Sequence, residues 1–129
     1  MIFVDTNVFM YAVGREHPLR SEARAFFLSA LESGEVLVTS AETLQELLHA
    51  YLPVGRAGTL EAALTLAVGR MAQIWSMEAD DVFLARTLMD RYPALGARDL
   101  NHLASCLRRE VTEIKTFDRT LASAFKPSS

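Results

Sequence analysis

Four carboxylates stand out in this chain by where they fall: Asp5 in "FVDTN", Glu46 in "LQELLHA", Asp99 in "GARDLNH" and Asp118 in "TFDRT". Gathered into one pocket, such groups repel one another and raise each other's pKa values. A divalent cation is their natural neutralising partner, and oxygen-only ligands select a hard ion, Mg²⁺ or Mn²⁺, over zinc. One or two such ions would lower the pKa of a bound water, hold a phosphate and stabilise a leaving oxygen, which suits phosphodiester hydrolysis. Thr6, Asn7, Ser40 and Thr116 would supply short polar groups that orient the ligands or touch phosphate. His102, three residues after Asp99, has two roles open to it: to share that face and reach the phosphate, or to sit partly buried, satisfied by backbone or water. His17, His49 and His102 are too dispersed for a zinc motif, and the one cysteine, Cys106, has no partner.

Each acid also has a plainer role. Asp5, Asp99 and Asp118 all fall near helix starts, where an aspartate caps free N–H groups and is worth about 1 kcal/mol. Glu46 fits a solvated helix face, with Glu42 one turn before it and His49 three residues after. Which role holds depends on the elements that carry these residues.

Ile2–Val4 reads as a short buried strand and Thr6 to Val13 as a helical turn. Pro18 suits the first position of a helix and Gly34 its exit, with Leu19, Ala23, Phe26, Phe27, Ala30 and Leu31 at helical spacing between them. A second strand, Val36–Thr39, ends at Ser40, and a helix from Ala41 to about Leu52 places Leu44, Leu47, Leu48 and Tyr51 on its apolar stripe. "PVGRAG" breaks it, Thr59 can cap a helix from Leu60 to about Ile74, and "IWSME" is a short third strand. Asp80 opens a helix with Val82, Leu84, Ala85, Leu88 and Met89 as apolar members, ending near Tyr92. A sixth helical pattern, Arg98 to Arg109, carries Leu100, Leu103, Ala104 and Leu107. "TEIKTF" alternates like a strand, Asp118 begins a last helix towards Phe125, and the "KPSS" tail is expected to fray.

Strands alternating with helices predict an α/β fold with a parallel sheet covered on both faces. In such sheets ligands bind beyond the carboxyl ends of the strands. Asp5, Ser40 and Asp118 each follow a strand, so they reach that edge. The 129 residues predict one domain, 1–129, with no repeat or linker. A net charge of −3 does not advertise a nucleic-acid binder, although a bound cation would change the balance where acids are densest. No apolar run approaches the roughly 18 residues of a membrane span, and acidic Asp5 interrupts the first apolar stretch, so neither membrane insertion nor export is expected. A lone cysteine fits a reducing, cytoplasmic setting, and Cys106 between Leu103 and Leu107 reads as a small buried hydrophobe.

The segments "FVDTNVFMYA", "VTSAETLQELLHAY", "GARDLNHLASCLRR" and "TFDRTLA", in this order and spacing, resemble the PIN-domain family, and most closely its VapC-type toxin branch. The resemblance covers essentially the whole chain. It implies a three-layer α/β/α sandwich around a mainly parallel sheet, and a Mg²⁺- or Mn²⁺-dependent endoribonuclease acting as the toxin of a toxin–antitoxin pair. Asp5, Glu46, Asp99 and Asp118 would be its acidic quartet, with Asn7, Ser40 and Thr116 at supporting polar positions. It also implies a homodimer and a small VapB-like antitoxin whose tail can occlude the groove. Two features depart from the family pattern. Asp118 is followed by Arg119, Thr120 and Leu121 where a second Asp often stands, which puts a second metal site in doubt. Asn101 and His102 stand where small residues are more usual. The arginines at 15, 20 and 24 either touch RNA or a partner or form a solvated face. One alternative is a non-catalytic RNA- or protein-binding module that keeps the fold. Another is an aspartyl-phosphate protein, HAD-like or receiver-type. The HAD pattern needs D-x-D after the first strand, where this chain has Thr6 and Asn7, and Lys115 precedes Asp118 within the last strand.

Overall fold

A computed structural model describes residues 1–126. Beyond Lys126, the tail expected to fray lies outside the described residues. The elements run β1 (Ile2–Val4), α1 (Thr6–Val13), α2 (Pro18–Ser33), β2 (Leu37–Ser40), α3 (Ala41–Tyr51), α4 (Ala57–Arg70), β3 (Gln73–Trp75), α5 (Ala79–Leu88), α6 (Ala97–Arg108), β4 (Glu113–Lys115) and α7 (Arg119–Ala124).

The strands form one parallel sheet in the order β3-β2-β1-β4. Phe3 stands level with Val38 on one side and Ile114 on the other, so β1 is fully paired. Alternation along β1 and β2 then sorts the two faces. Val4 and Leu37 pack with Val8, Phe9, Phe27, Leu47 and Leu60 under α1–α4. Phe3 and Val38 pack with Trp75, Cys106 and Val111 beneath α6 and its exit, while Ala85, Leu88, Leu103 and Leu121 join α5, α6 and α7. The result is the expected α/β/α sandwich.

The topology also fixes where a crevice can open. From β1 the chain steps outward to β2 and β3, then returns to the other side of β1 to lay down β4. Strand order therefore reverses between β1 and β4, the kind of switch point where loops diverge and ligands bind. Asp5 ends β1 there, and its amide donates to the Lys115 carbonyl at 3.0 Å, tying it to β4.

Several helix ends follow from sequence. Pro18 begins α2 behind His17, whose Nδ1 accepts from the Leu19 amide, and Gly34 leaves it in the left-handed region at φ 70°. Other expectations need correction. The helix placed over Leu60–Ile74 spans Ala57–Arg70, with Arg56 at its N-cap and no side-chain cap, so Thr59 lies inside its first turn. Ile74 belongs to β3, because alignment with Thr39 completes the sheet edge and overrides helical periodicity. The apolar positions Leu31, Leu48, Val82, Met89 and Leu107 are exposed. Each stands at the margin of a helix stripe wider than the surface its neighbours cover.

The largest polar feature of the core was invisible in the spacing. Asp81 in α5 is fully buried and accepts from Arg108 (2.8 Å), from Arg109 (2.7 Å) and from the Glu78 amide (2.8 Å). Arg109 also lies over the Trp75 ring at 4.9 Å. Burial would raise the Asp81 carboxyl, but the bonds from Arg109, the Glu78 amide and Arg108 outweigh it and hold the group below its ordinary value. This buried ion cluster fastens α5 to α6, and hence fixes the helix that carries Asp99.

Candidate active site

At the switch point a cleft of about 680 Å³ opens, lined by Asp5, Thr6, Asn7, Glu46, Asp99 and Asp118 among others. The four expected acids thus come together from the ends of β1 and β4, the middle of α3 and the first turn of α6.

Capping and site roles coexist in two of them. Asp5 Oδ1 accepts from the Thr6 amide at 2.8 Å as the N-cap of α1, while Oδ2 accepts from the Thr116 hydroxyl at 2.6 Å. Asp118 Oδ1 accepts from Thr120 and Leu121 amides as the N-cap of α7, which leaves its second oxygen without a hydrogen bond among the described residues. Asp99 caps nothing: Gly96 is the N-cap of α6, and the Asp99 side chain is half-buried in the cleft. Glu46 Oε2 accepts from the Thr6 hydroxyl, and its buried Oε1 lacks any aligned hydrogen-bond donor.

Asn7 and Thr116 form a latch between α1 and the exit of β4. The Thr116 hydroxyl donates to Asp5 and accepts from Asn7 Nδ2 (3.3 Å) and the Asp118 amide (3.0 Å), while Asn7 Oδ1 accepts from the Phe117 amide (3.2 Å). That hydroxyl is saturated, so Thr116 orients Asp5 and has no capacity left for a phosphate. Ser40 is fully buried, caps α3 by accepting from Thr43 at 3.4 Å, and does not line the cleft. Its contribution is to start the helix that carries Glu46.

His102 is fully buried, deeper than the partly buried imidazole the sequence allowed. Its imidazole is wholly buried behind the cleft wall, against Phe3, so it does not reach a phosphate in the cleft. Its partners are acids: Nε2 lies 2.9 Å from Glu46 Oε1 and 3.7 Å from Asp5 Oδ1, while Nδ1 has no hydrogen-bond partner among the described residues. The histidines are dispersed in sequence, yet folding brings this one among the acids. Ligand atoms of Asp5, Glu46 and His102 all lie within 4.8 Å of one another.

The electrostatics register the crowding. Burial together with the Asp5 and Asp118 carboxylates pushes Asp99 up to about 6. Burial also raises Asp5, against the pull of His102 and the bonds from Thr116 and the Thr6 amide. Burial disfavours a charged His102, but Glu46, Asp5 and Asp99 override it and raise its pKa. For Glu46, burial raises the carboxyl, and contact with His102 and the Thr6 hydroxyl brings it below its ordinary value. The cleft therefore holds more negative charge than its own cations neutralise. A buried carboxylate lone pair and an oxygen-rich wall fit a hard divalent ion.

His49 and Arg98 also line the cleft. Both had a signal: His49 stands three residues after Glu46, on the same helix face, and Arg98 immediately precedes Asp99.

Comparison with known proteins bears on the family and the fold. A family model described as the PIN domain matches residues 2–126. The chain is 67% identical over 126 residues to "Ribonuclease VapC23" of Mycobacterium tuberculosis (strain CDC 1551 / Oshkosh), covering 98% of this chain and 99% of that protein. It is 40% identical over 119 residues to "VapC ribonuclease Mb1869c" of Mycobacterium bovis (strain ATCC BAA-935 / AF2122/97), covering 92% of this chain and 91% of that one. Among solved structures, the Mycobacterium tuberculosis toxin VapC20, described as cleaving the sarcin-ricin loop, superposes with a TM-score of 0.82 over 96% of this chain and 95% of its own. Its identity of 18% makes that a likeness of fold.

Proposed function

The chain belongs to the PIN-domain family, and from that premise we propose that its cleft is the active site of a Mg²⁺- or Mn²⁺-dependent endoribonuclease, the toxin of a toxin–antitoxin pair. The observation that carries this reading is the convergence of Asp5, Glu46, Asp99 and Asp118 on one cleft at the switch of strand order. Those four side chains would hold the metal, as one or two ions. When bound, the ion supplies an acidified water and charge stabilisation at the phosphate.

The chain's own residues do the rest. The Thr6 amide and the Thr116 hydroxyl fix both oxygens of Asp5. The Thr6 hydroxyl holds one oxygen of Glu46, and the other faces His102 Nε2 at 2.9 Å. His102 sets positive charge behind Asp5 and Glu46 and keeps them close despite their repulsion. Asp99, raised to about 6 in the metal-free cleft by burial and by the Asp5 and Asp118 carboxylates, would give up its proton to bind the cation. Arg98 and His49 supply donors for the phosphate.

A VapB-like antitoxin, a homodimer and action in the cytoplasm complete the proposal. The names of the similar ribonucleases support the first, and the lone buried thiol of Cys106 is consistent with the last.

The test is cleavage of structured RNA with Mg²⁺ or Mn²⁺, by wild type and by Asp5→Asn. Metal-dependent cleavage that vanishes in the variant, with its circular dichroism retained, is expected. Equal cleavage by both would mean a contaminating nuclease, and no cleavage by metal-loaded wild type would leave only a binding module.

A further inference from the structure

Beside the acidic cleft lies a second recess of about 460 Å³, within the size range of small-molecule pockets (roughly 300–1,000 Å³). The two share Asn7 and Met10 as a common wall. The chemistry changes across that wall. The recess is bounded by Tyr11, His17, Arg15 and Arg56, with Glu16 its one carboxylate. Tyr11 and His17 stack with ring centroids 4.7 Å apart at 35°, and Phe117 holds Tyr11 edge-on at 5.4 Å. The aromatic wall is thus fixed before any ligand arrives. His17 is exposed, and because its Nδ1 accepts from Leu19, its neutral form carries the proton on Nε2 as an outward donor.

Glu16 and His17 in turn border a third hollow lined by Arg20 and Arg24. A continuous path therefore leads from four carboxylates, past an aromatic pair, to a run of arginines on the turn from α1 into α2. Among the described residues none of Arg15, Arg20, Arg24 and Arg56 is ion-paired with a carboxylate. In a chain of net charge −3, this is positive charge without a carboxylate partner collected at one place, with Arg24 Nε donating to the Ala12 carbonyl at 2.9 Å. Stacking faces beside backbone-neutralising cations are what single-stranded nucleic acid requires.

We propose that this recess holds the nucleotide next to the scissile phosphate, its base against the Tyr11–His17 pair and its phosphate between Arg15 and Arg56, with the strand continuing towards Arg20 and Arg24. The assignment rests on the ribonuclease reading and adds to it the side on which the strand lies. Recognition here is of an unpaired nucleotide, by stacking, which favours single-stranded segments or loops over duplex.

The experiment is steady-state cleavage, by the full chain with Mn²⁺, of a short fluorescein-labelled RNA that the wild type cuts. Arg15→Ala/Arg56→Ala removes exposed or half-buried charges that carry no internal ion pair. Its KM is expected to rise about tenfold with kcat little changed. The dependence of log(kcat/KM) on log salt should become shallower by about 0.7, the value for one lost phosphate contact on a single strand. One abasic nucleotide, placed in turn at each position around the cut, should weaken wild-type binding about tenfold at one fixed position. Tyr11→Leu, checked for folding by circular dichroism, should lose that sensitivity. Unchanged KM and salt slope in the double variant would overturn the recess while leaving the nuclease intact. Normal RNA kinetics with loss of a co-purifying protein partner would overturn it too, making the recess a protein site. Absence of any Mn²⁺-dependent cleavage by wild type would overturn the ribonuclease reading, and the recess with it.

Discussion

Asp99 is the residue whose charge is least settled by its surroundings. Its carboxyl is raised to about 6, whereas an unfolded aspartate stays ionised down to about pH 4. The folded, metal-free chain therefore binds a proton that the unfolded chain does not between those values, and stability rises as pH falls from about 7.5 to about 5.5. His102, also raised, contributes in the same direction: its stabilisation is present in acid and lost as pH climbs through its folded pKa. Thermal denaturation in EDTA should give a higher Tm at the lower pH. Mn²⁺ should raise Tm more at about pH 7.5 than at about pH 5.5, because protons compete for the same oxygens. Thr116→Val tests the latch without touching an acid. It removes the donor to Asp5 Oδ2 and the acceptor for Asn7, and should weaken Mn²⁺ binding roughly 10–100-fold by calorimetric titration, with the fold retained. At this scale Asp5 and Asp118 were legible by their position after strands, whereas Glu46 and Asp99 could be placed only on helices. The sequence set His102 near Asp99 but not beneath Asp5 and Glu46, because that placement depends on how α6 packs against β1, which no local spacing encodes.

At the scale of elements, the Asp81 cluster and the exit of α2 carry the sharpest expectations. Asp81→Ala removes the buried acceptor that Arg108 and Arg109 share, leaving them the more exposed Glu78 and Asp80, and frees the Glu78 amide. It should lower stability by about 2 kcal/mol in urea denaturation. Asp81 is held below its ordinary pKa, so its contribution is present near neutrality and fades as pH drops through the folded value. Gly34→Ala places a Cβ in the left-handed region at φ 70° and should cost about 1 kcal/mol by the same measurement. Gly34, Pro18 and the strand β1 were legible because turn and cap chemistry are local. The border between α4 and β3 was not, since residues 71–74 continue an apolar rhythm that helix and strand share until sheet pairing decides. Nor was the Asp81 cluster: three charged residues 27 and 28 positions apart look like solvated helix surface until α5 and α6 pack.

For the whole molecule, the sandwich and its parallel sheet followed from alternating strands and helices, and the crevice from the reversal at β1. What composition obscured was charge: a net −3 hides an acidic cleft and an arginine-lined path side by side. Chelation should therefore depress RNA binding as well as turnover, since stripping the cation leaves four carboxylates facing the phosphate. Fluorescence anisotropy with and without EDTA, on the wild-type chain with a phosphorothioate-substituted RNA to slow cleavage, would measure it; equal affinity in both would argue that the metal plays no part in holding the strand. The latch between Asn7 and Thr116 has one more consequence, in time rather than space. Asp5 leaves the ribosome early, but its partner hydroxyl lies 111 residues later. At about 5–20 residues per second, roughly 6–20 s separate the two. Throughout that interval the nascent chain has neither β4 nor the Asp118 edge of its cleft, so an RNA-cutting protein is born incompetent beside the very RNA machinery making it.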